Sequence, residues 1–119
     1  MAAVSDFKDL EVWRKGRALA GFIYKITAGF PPHEQFGLTN QLRRASVSIP
    51  SNIAEGFRRR HSKEFKRYLQ IAGGSAAELE TQLLIAHDIG YLGEVELKVL
   101  LDHVDHINRM CTQLMKRLT

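Results

Sequence analysis

Apolar residues along this chain fall into four long runs at spacings of three and four, the pattern of four amphipathic helices. In the first, from about Asp9 to Thr27, Val12, Gly16, Leu19, Ile23 and Ile26 form one stripe, which Trp13, Ala20 and Phe22 widen. Leu38, Leu42, Ala45, Ile49 and Ile53 mark the second. The third opens at Ser62, expected as its N-cap with Glu64 in the first turn. It then repeats Phe65, Leu69, Ala72, Ala76, Leu79, Leu83 and Ala86, and Gly90 stands where a helix ends in a left-handed residue. The fourth is the most regular, a heptad seam of Leu97, Leu100, Val104, Ile107, Cys111, Leu114 and Leu118. The connections are short: AGFPPHEQ after the first helix, with Gly29 as a stop, and a turn at Gly93 after the third. Consecutive helices must therefore return antiparallel. The expected fold is all-α, an up-down-up-down four-helix bundle in a single domain over residues 1–119.

Three interruptions of the pattern carry information. Pro50 lies inside the second helix and removes the amide that would bond the carbonyl of Ser46, at a cost of about 3 kcal/mol. Two short helices would meet there, or one helix would kink. The apolar stripe keeps its phase across Pro50, so one kinked helix is expected, with Ser46, Ser48 or water taking the freed carbonyl. Gly73 and Gly74 interrupt the third helix at roughly 1 kcal/mol each relative to alanine. With Ser75, Ala76 and Ala77 they make a small-residue patch suited to tight helix contact, within the bundle or between subunits. Ser48, Asn52, Glu55 and Arg59 form a polar stripe on the second helix. It reads first as a hydrogen-bonded network with an i,i+4 ion pair, bridging to a neighbouring helix or subunit. Ligand contact and catalysis are the alternatives, and the stripe has neither a histidine nor a paired carboxylate for the latter.

Composition narrows the class. Hydrophobic residues make up 45% and charged residues 25% of 119, as in soluble globular domains. Cys111 is the sole cysteine, so no intrachain disulfide forms. There is no signal-peptide pattern and no apolar run of the roughly 18–20 residues a membrane span needs, so a cytoplasmic protein with no membrane partner is expected. Charge changes the picture more. From Arg43 to Arg67 eight cations (Arg43, Arg44, Arg58, Arg59, Arg60, Lys63, Lys66 and Arg67) face two acids, Glu55 and Glu64. The remainder has nine basic and eleven acidic residues, so the net charge of +4 comes from one segment. Such a zone suits a polyanion, and arginine forks suit phosphate. The like-charged Lys63–Arg67 pair needs something to offset it, which phosphate would do. A solvated basic corner, an acidic protein partner and a membrane surface are the competing readings.

Other chemistry is thinly represented. His103 and His106, with Asp102 and Asp105, share the fourth helix without a further ligand at a suitable spacing, so a solvated helix face is expected and no metal. Cys111 occupies a heptad position and reads as a small buried hydrophobe. No phosphate-binding glycine loop, zinc motif or triad signature occurs. No cofactor and no enzymatic activity are expected.

The stretch FGLTNQLRRASVSIPSNIAEGFRRR, followed by KEFKRYLQIAGGSAAELETQL, resembles the small bacterial four-helix-bundle proteins known from intervening sequences of 23S ribosomal RNA genes. The same family includes the accessory variability determinant of diversity-generating retroelements. SIPSNIAEG at 48–56 is the most specific part, and the resemblance extends from DLEVWRK at 9–15 to GYL at 90–92. Gly16 departs from it, where members more often carry a better helix former. The resemblance implies a ring-like homopentamer with nucleic acid, or a nucleic-acid enzyme such as a reverse transcriptase, as partner. On the charge pattern the residues expected to bind nucleic acid are the eight cations; Ser48, Pro50, Asn52, Glu55, Gly73 and Gly74 are read from their spacing as structural or interface residues. The alternative is a protein-interaction scaffold without a direct nucleic-acid role.

Overall fold

The computed structural model describes residues 4–118. After a single 3-10 turn at Phe7–Asp9, four helices follow: α1 (Glu11–Thr27), α2 (Leu38–Arg58), α3 (Ser62–Asp88) and α4 (Glu94–Arg117). There is no strand among the described residues. The elongated body measures 47 × 25 × 19 Å. The α2–α3 pair packs most extensively and α1–α4 least.

The stripes read from the sequence are the core. Leu19, Ile23, Leu42, Ile49, Ile53, Leu69, Leu79, Leu83 and Ile107 are fully buried. Cys111 is buried among them, and desolvation pushes its thiol up to about 11. Tyr68 is buried as well. Phe22 and Ile71 remain exposed, and Trp13 sits half-buried edge-on to Phe7 at 5.1 Å between centroids.

α2 is one continuous helix through Pro50. Pro50 is buried against α1, where a Cβ on Gly16 would stand 3.4 Å from the Pro50 Cβ, so the glycine lets α1 lie close to the ring. The nearby hydroxyls are engaged elsewhere than expected: Ser46 donates to the Arg43 carbonyl at 2.9 Å, and Ser48 pairs with Ser75 Oγ at 2.8 Å.

The helix ends follow local chemistry with two adjustments. α3 ends in a Schellman motif, with Gly90 at φ 87°, its amide donating to the His87 carbonyl and the Tyr91 amide to that of Ala86. α3 begins one residue before expectation: Ser62 is its first helical residue and His61 is the N-cap, without a side-chain bond. The segment at Phe7–Asp9 is a separate turn, so Asp9 precedes α1. Gly93 donates its amide to Glu96 Oε1 at 3.3 Å, half of a capping box at the start of α4.

Candidate nucleic-acid interface

The α2–α3 corner is built on a glycine. A Cβ at Gly56 would come 2.5 Å from the Tyr68 Cβ and 3.1 Å from Phe65, so only glycine lets the two helices close there. That approach places Tyr68 beneath the arginines. Arg59 Nη2 donates to Glu55 Oε2 at 3.0 Å and to Tyr68 Oη at 2.9 Å, while the Tyr68 hydroxyl donates to the same Glu55 oxygen at 3.0 Å. The Arg59 hydrogen bond, then that from Tyr68, holds the Glu55 carboxyl below its ordinary value.

Aromatic rings carry the guanidiniums. Arg59 and Arg67 both lie over the Tyr68 ring, at 5.3 and 4.7 Å from its centroid. Arg58 lies over Phe7 at 5.2 Å and Arg60 over Phe57 at 5.4 Å. Arg67 also bonds Glu64 at 3.2 Å, and that bond lowers the Glu64 carboxyl. The chain itself therefore offsets the like-charge crowding at Arg59 and Arg67, and no phosphate is needed for that. Arg58, Arg60, Lys63 and Lys66 have no carboxylate within ion-pairing distance among the described residues.

Arg60, the residue after the α2 C-cap Arg59, has φ 59°, the left-handed region that glycine occupies at least cost. An arginine there costs roughly 1–2 kcal/mol of backbone strain. Glycine would relieve that strain.

The basic zone that is continuous in sequence is divided in space. Arg43 and Arg44 lie about 22 Å up α2 from Arg58, at 1.5 Å per residue. Arg43 turns inward, donating from Nε to Thr27 Oγ1 at 2.9 Å and stacking on Tyr24 at 4.5 Å. Arg44 is exposed. Six of the eight cations share the corner.

The polar stripe of α2 joins the helices at two points. Asn52 Nδ2 donates to the Ser48 carbonyl at 2.8 Å and hydroxyl at 2.9 Å, and Ser48 reaches Ser75 on α3. Glu55 and Arg59 meet Tyr68 one and two turns on. The glycine pair departs from expectation within the chain. Gly74 is exposed with nothing within 4 Å of a built Cβ, and Gly73 would meet only Asn108 Oδ1 at 3.7 Å. Neither admits a close helix here. His103 and His106 are exposed, and no group of three or more His, Cys, Asp or Glu is placed to hold a metal ion among the described residues. Among the described residues, no helix is long and apolar enough to cross a membrane.

Gly56 and the buried Gln82 escaped the sequence reading. Gly56 sits in the last turn of α2, where glycine reads as a fraying signal. Gln82 was legible in principle, seven residues after Ser75 and beside the apolar stripe.

The 23S rRNA-intervening sequence protein family model matches residues 8–113. A crystal structure of a protein with unknown function from the S23 ribosomal protein family, from Bacteroides thetaiotaomicron, is similar in fold. Its TM-score is 0.79 at 24% identity, covering 88% of this chain and 98% of that one. No curated protein sequence matches the chain.

Proposed function

We propose, from the premise that this chain belongs to the 23S rRNA-intervening sequence protein family, that it is a non-enzymatic, homo-oligomeric bundle that binds RNA or DNA backbones. The observation that carries this is the α2–α3 corner. Arg58, Arg60, Lys63 and Lys66 lack carboxylate partners among the described residues, while the rings of Phe7 and Phe57 preorganise the two arginines. Arg59 and Arg67 flank them, fixed by Glu55, Glu64 and Tyr68. The first-turn amides of α3 add donors for an anion. Such a surface positions phosphates and carries no base code.

Assembly follows from what one bundle leaves uncovered. Ile71, Gly74, Leu84 and Ile85 are exposed along α3, as are Val95 and Val99 on α4. A ring-like pentamer is the specific form, in which the small-residue patch meets a neighbouring subunit and each subunit adds a copy of the corner. Repetition turns weak phosphate contacts into useful avidity. The role is accessory to a ribonucleoprotein or reverse-transcriptase system. The same exposed apolar surface favours a second reading, a scaffold that docks a protein and touches nucleic acid incidentally.

Light scattering at micromolar concentration tests the assembly: several times the 13.5 kDa chain mass is expected, and a clean monomer contradicts it. Salt-dependent retention of the protein on immobilised RNA and on heparin tests the surface. Absence of retention at low salt would favour the scaffold.

A further inference from the structure

Away from the corner, the most exposed large apolar side chain among the described residues is Phe36, at 89%. It stands in the connection between α1 and α2, and that connection is braced. Glu34 accepts from the Leu38 amide at 3.1 Å through Oε1 and from the Tyr91 hydroxyl at 2.8 Å through Oε2. The carboxylate thereby ties the start of α2 to the turn between α3 and α4. An aromatic ring is held in water by a pinned backbone, with its apolar area left hydrated.

Phe36 lines a groove of about 530 Å³ with Tyr24, Gln35, Asn40, Arg43 and Arg44, and no carboxylate stands among the described residues that line it. Arg43 is engaged with Thr27 and lies over the Tyr24 ring, 4.5 Å from its centroid. Arg44 and the side-chain amides of Gln35 and Asn40 are exposed and have no partner among the described residues. Positive charge, hydrogen-bond donors and an aromatic face are therefore offered together, with no negative charge beside them.

The groove and the corner share one face of α2. Arg44, Ser51 and Arg58 are exposed at heptad spacing, and seven residues return a helix to within about 20° of the same direction. Val47 is exposed between them, and so is Glu55, whose carboxylate is already bonded by Arg59 and Tyr68. A chain with negative charge at intervals can thus lie along α2 from Arg58 to Arg44 and meet no unpaired acid. An acidic peptide satisfies that condition but brings no regular succession of flat π-faces for Phe36. A nucleic-acid strand brings one at every residue, provided that its bases are unpaired.

We propose that this groove is a stacking site for single-stranded nucleic acid: Phe36 takes an unpaired base of any kind, Arg44 meets the adjoining phosphate, and the strand continues along α2 to the corner. The course of the strand rests on the nucleic-acid reading of the corner; the stacking rests on the groove alone. The preferred substrate is then a single strand and not a duplex, in which neighbouring base pairs cover the faces of each base.

The test compares a single-stranded oligouridylate with duplex RNA of equal length, by fluorescence anisotropy, on the wild type, Phe36→Ala and Phe36→Tyr. Phe36→Ala should weaken binding of the single strand at least about fivefold, the lower end of what stacking of one base contributes. Binding of the duplex should not change, and Phe36→Tyr should keep most of the wild-type affinity. Circular dichroism should be the same for all three proteins, since Phe36 lies outside the core. No loss for the single strand, or equal loss for both RNAs, overturns the proposal.

A second readout is independent of the corner. In the 15N-labelled protein, UMP should shift the side-chain amides of Gln35 and Asn40 more than ribose 5-phosphate does, and Phe36→Ala should remove the difference. Equal shifts with both, or none, overturn the stacking whatever RNA binding the corner shows. Shifts of the same amides on dilution alone would make the groove a contact between copies of the chain. Shifts with oligoglutamate equal to those with the oligouridylate would make it a site for an acidic protein. Either result overturns the proposal as well. If UMP stacks while RNA retention fails, the groove stands and the phosphate reading of the corner falls.

Discussion

The two ends of α2 use arginine in opposite ways. At the C-terminal end, Gly56 closes α2 onto α3, and Arg58, Arg59, Arg60 and Arg67 are each laid on a ring. In the N-terminal half, Arg43 folds inward onto Tyr24 and Thr27, and Arg44 is exposed. Charge density along the sequence treats these arginines alike; packing separates them. The closed end concentrates preorganised charge, which suits a repeating phosphate backbone. The open end has one outward-facing cation, Arg44, and no such concentration.

The comparison breaks most severely at the glycine. Gly56→Ala places a Cβ 2.5 Å from the Tyr68 Cβ, backbone-proximal on both sides. Overpacking of this kind costs about 1–3 kcal/mol, so thermal unfolding should shift down by several degrees and RNA retention should weaken with it. Gly74→Ala is the contrast, since a built Cβ there meets nothing within 4 Å. It should raise helix stability by up to about 1 kcal/mol while lowering the assembled mass in light scattering, because the patch is proposed to meet another subunit.

Arg60→Gly separates stability from binding at one position. Relief of the left-handed strain should stabilise the fold by about 1 kcal/mol in denaturant titration, while RNA binding weakens. If binding is unchanged, the arginine is not held there for a polyanion.

The smallest effect is acid sensitivity. Glu55 and Glu64 are held below 4.5 in the fold by Arg59 and Arg67, with Tyr68 also acting on Glu55. A carboxyl whose folded value is depressed contributes stability above its unfolded value and loses it as pH falls through the folded one. Stability should therefore be level with respect to these groups above about pH 5 and decline below 4.5. Tyr68→Phe, which removes one of the two bonds to Glu55, should shallow that decline.

Much of this is legible in the sequence. The four stripes mark the core because a repeat of three and four puts one face of each helix on the axis. The stripe that held phase across Pro50 belongs to one helix. What escaped was the identity of the neighbours. Nothing local says that Gly56 faces Tyr68, twelve residues on and across a turn. The Gly73–Gly74 pair looked like a close-approach site, and within the chain it faces almost nothing. Within the run of arginines the Glu55–Arg59 pair follows from its i,i+4 spacing and Arg67–Glu64 lies within one turn of α3, but the bonds of Tyr68 to Glu55 and Arg59 depend on how α3 returns. Helix faces can be read from spacing; which faces meet depends on the turns and the packing.

The central claim is that the α2–α3 corner binds phosphates, and the salt dependence of RNA affinity tests it most directly. Binding of two unrelated RNA oligomers should be measured by fluorescence anisotropy across a salt series. The proteins are the wild type, a triple Arg58→Ala/Arg59→Ala/Arg60→Ala variant, and a control with Lys25→Ala/Lys98→Ala/Arg117→Ala. Each phosphate contact contributes about 0.7 to 0.9 to the slope of log affinity against log salt. The account predicts that the corner variant loses affinity equally for both sequences and flattens the slope, with helical content and assembly intact, while the control stays near wild type. Equal loss in both variants would reduce the effect to net charge, and no loss in either would make the corner a solvated surface; each contradicts the claim.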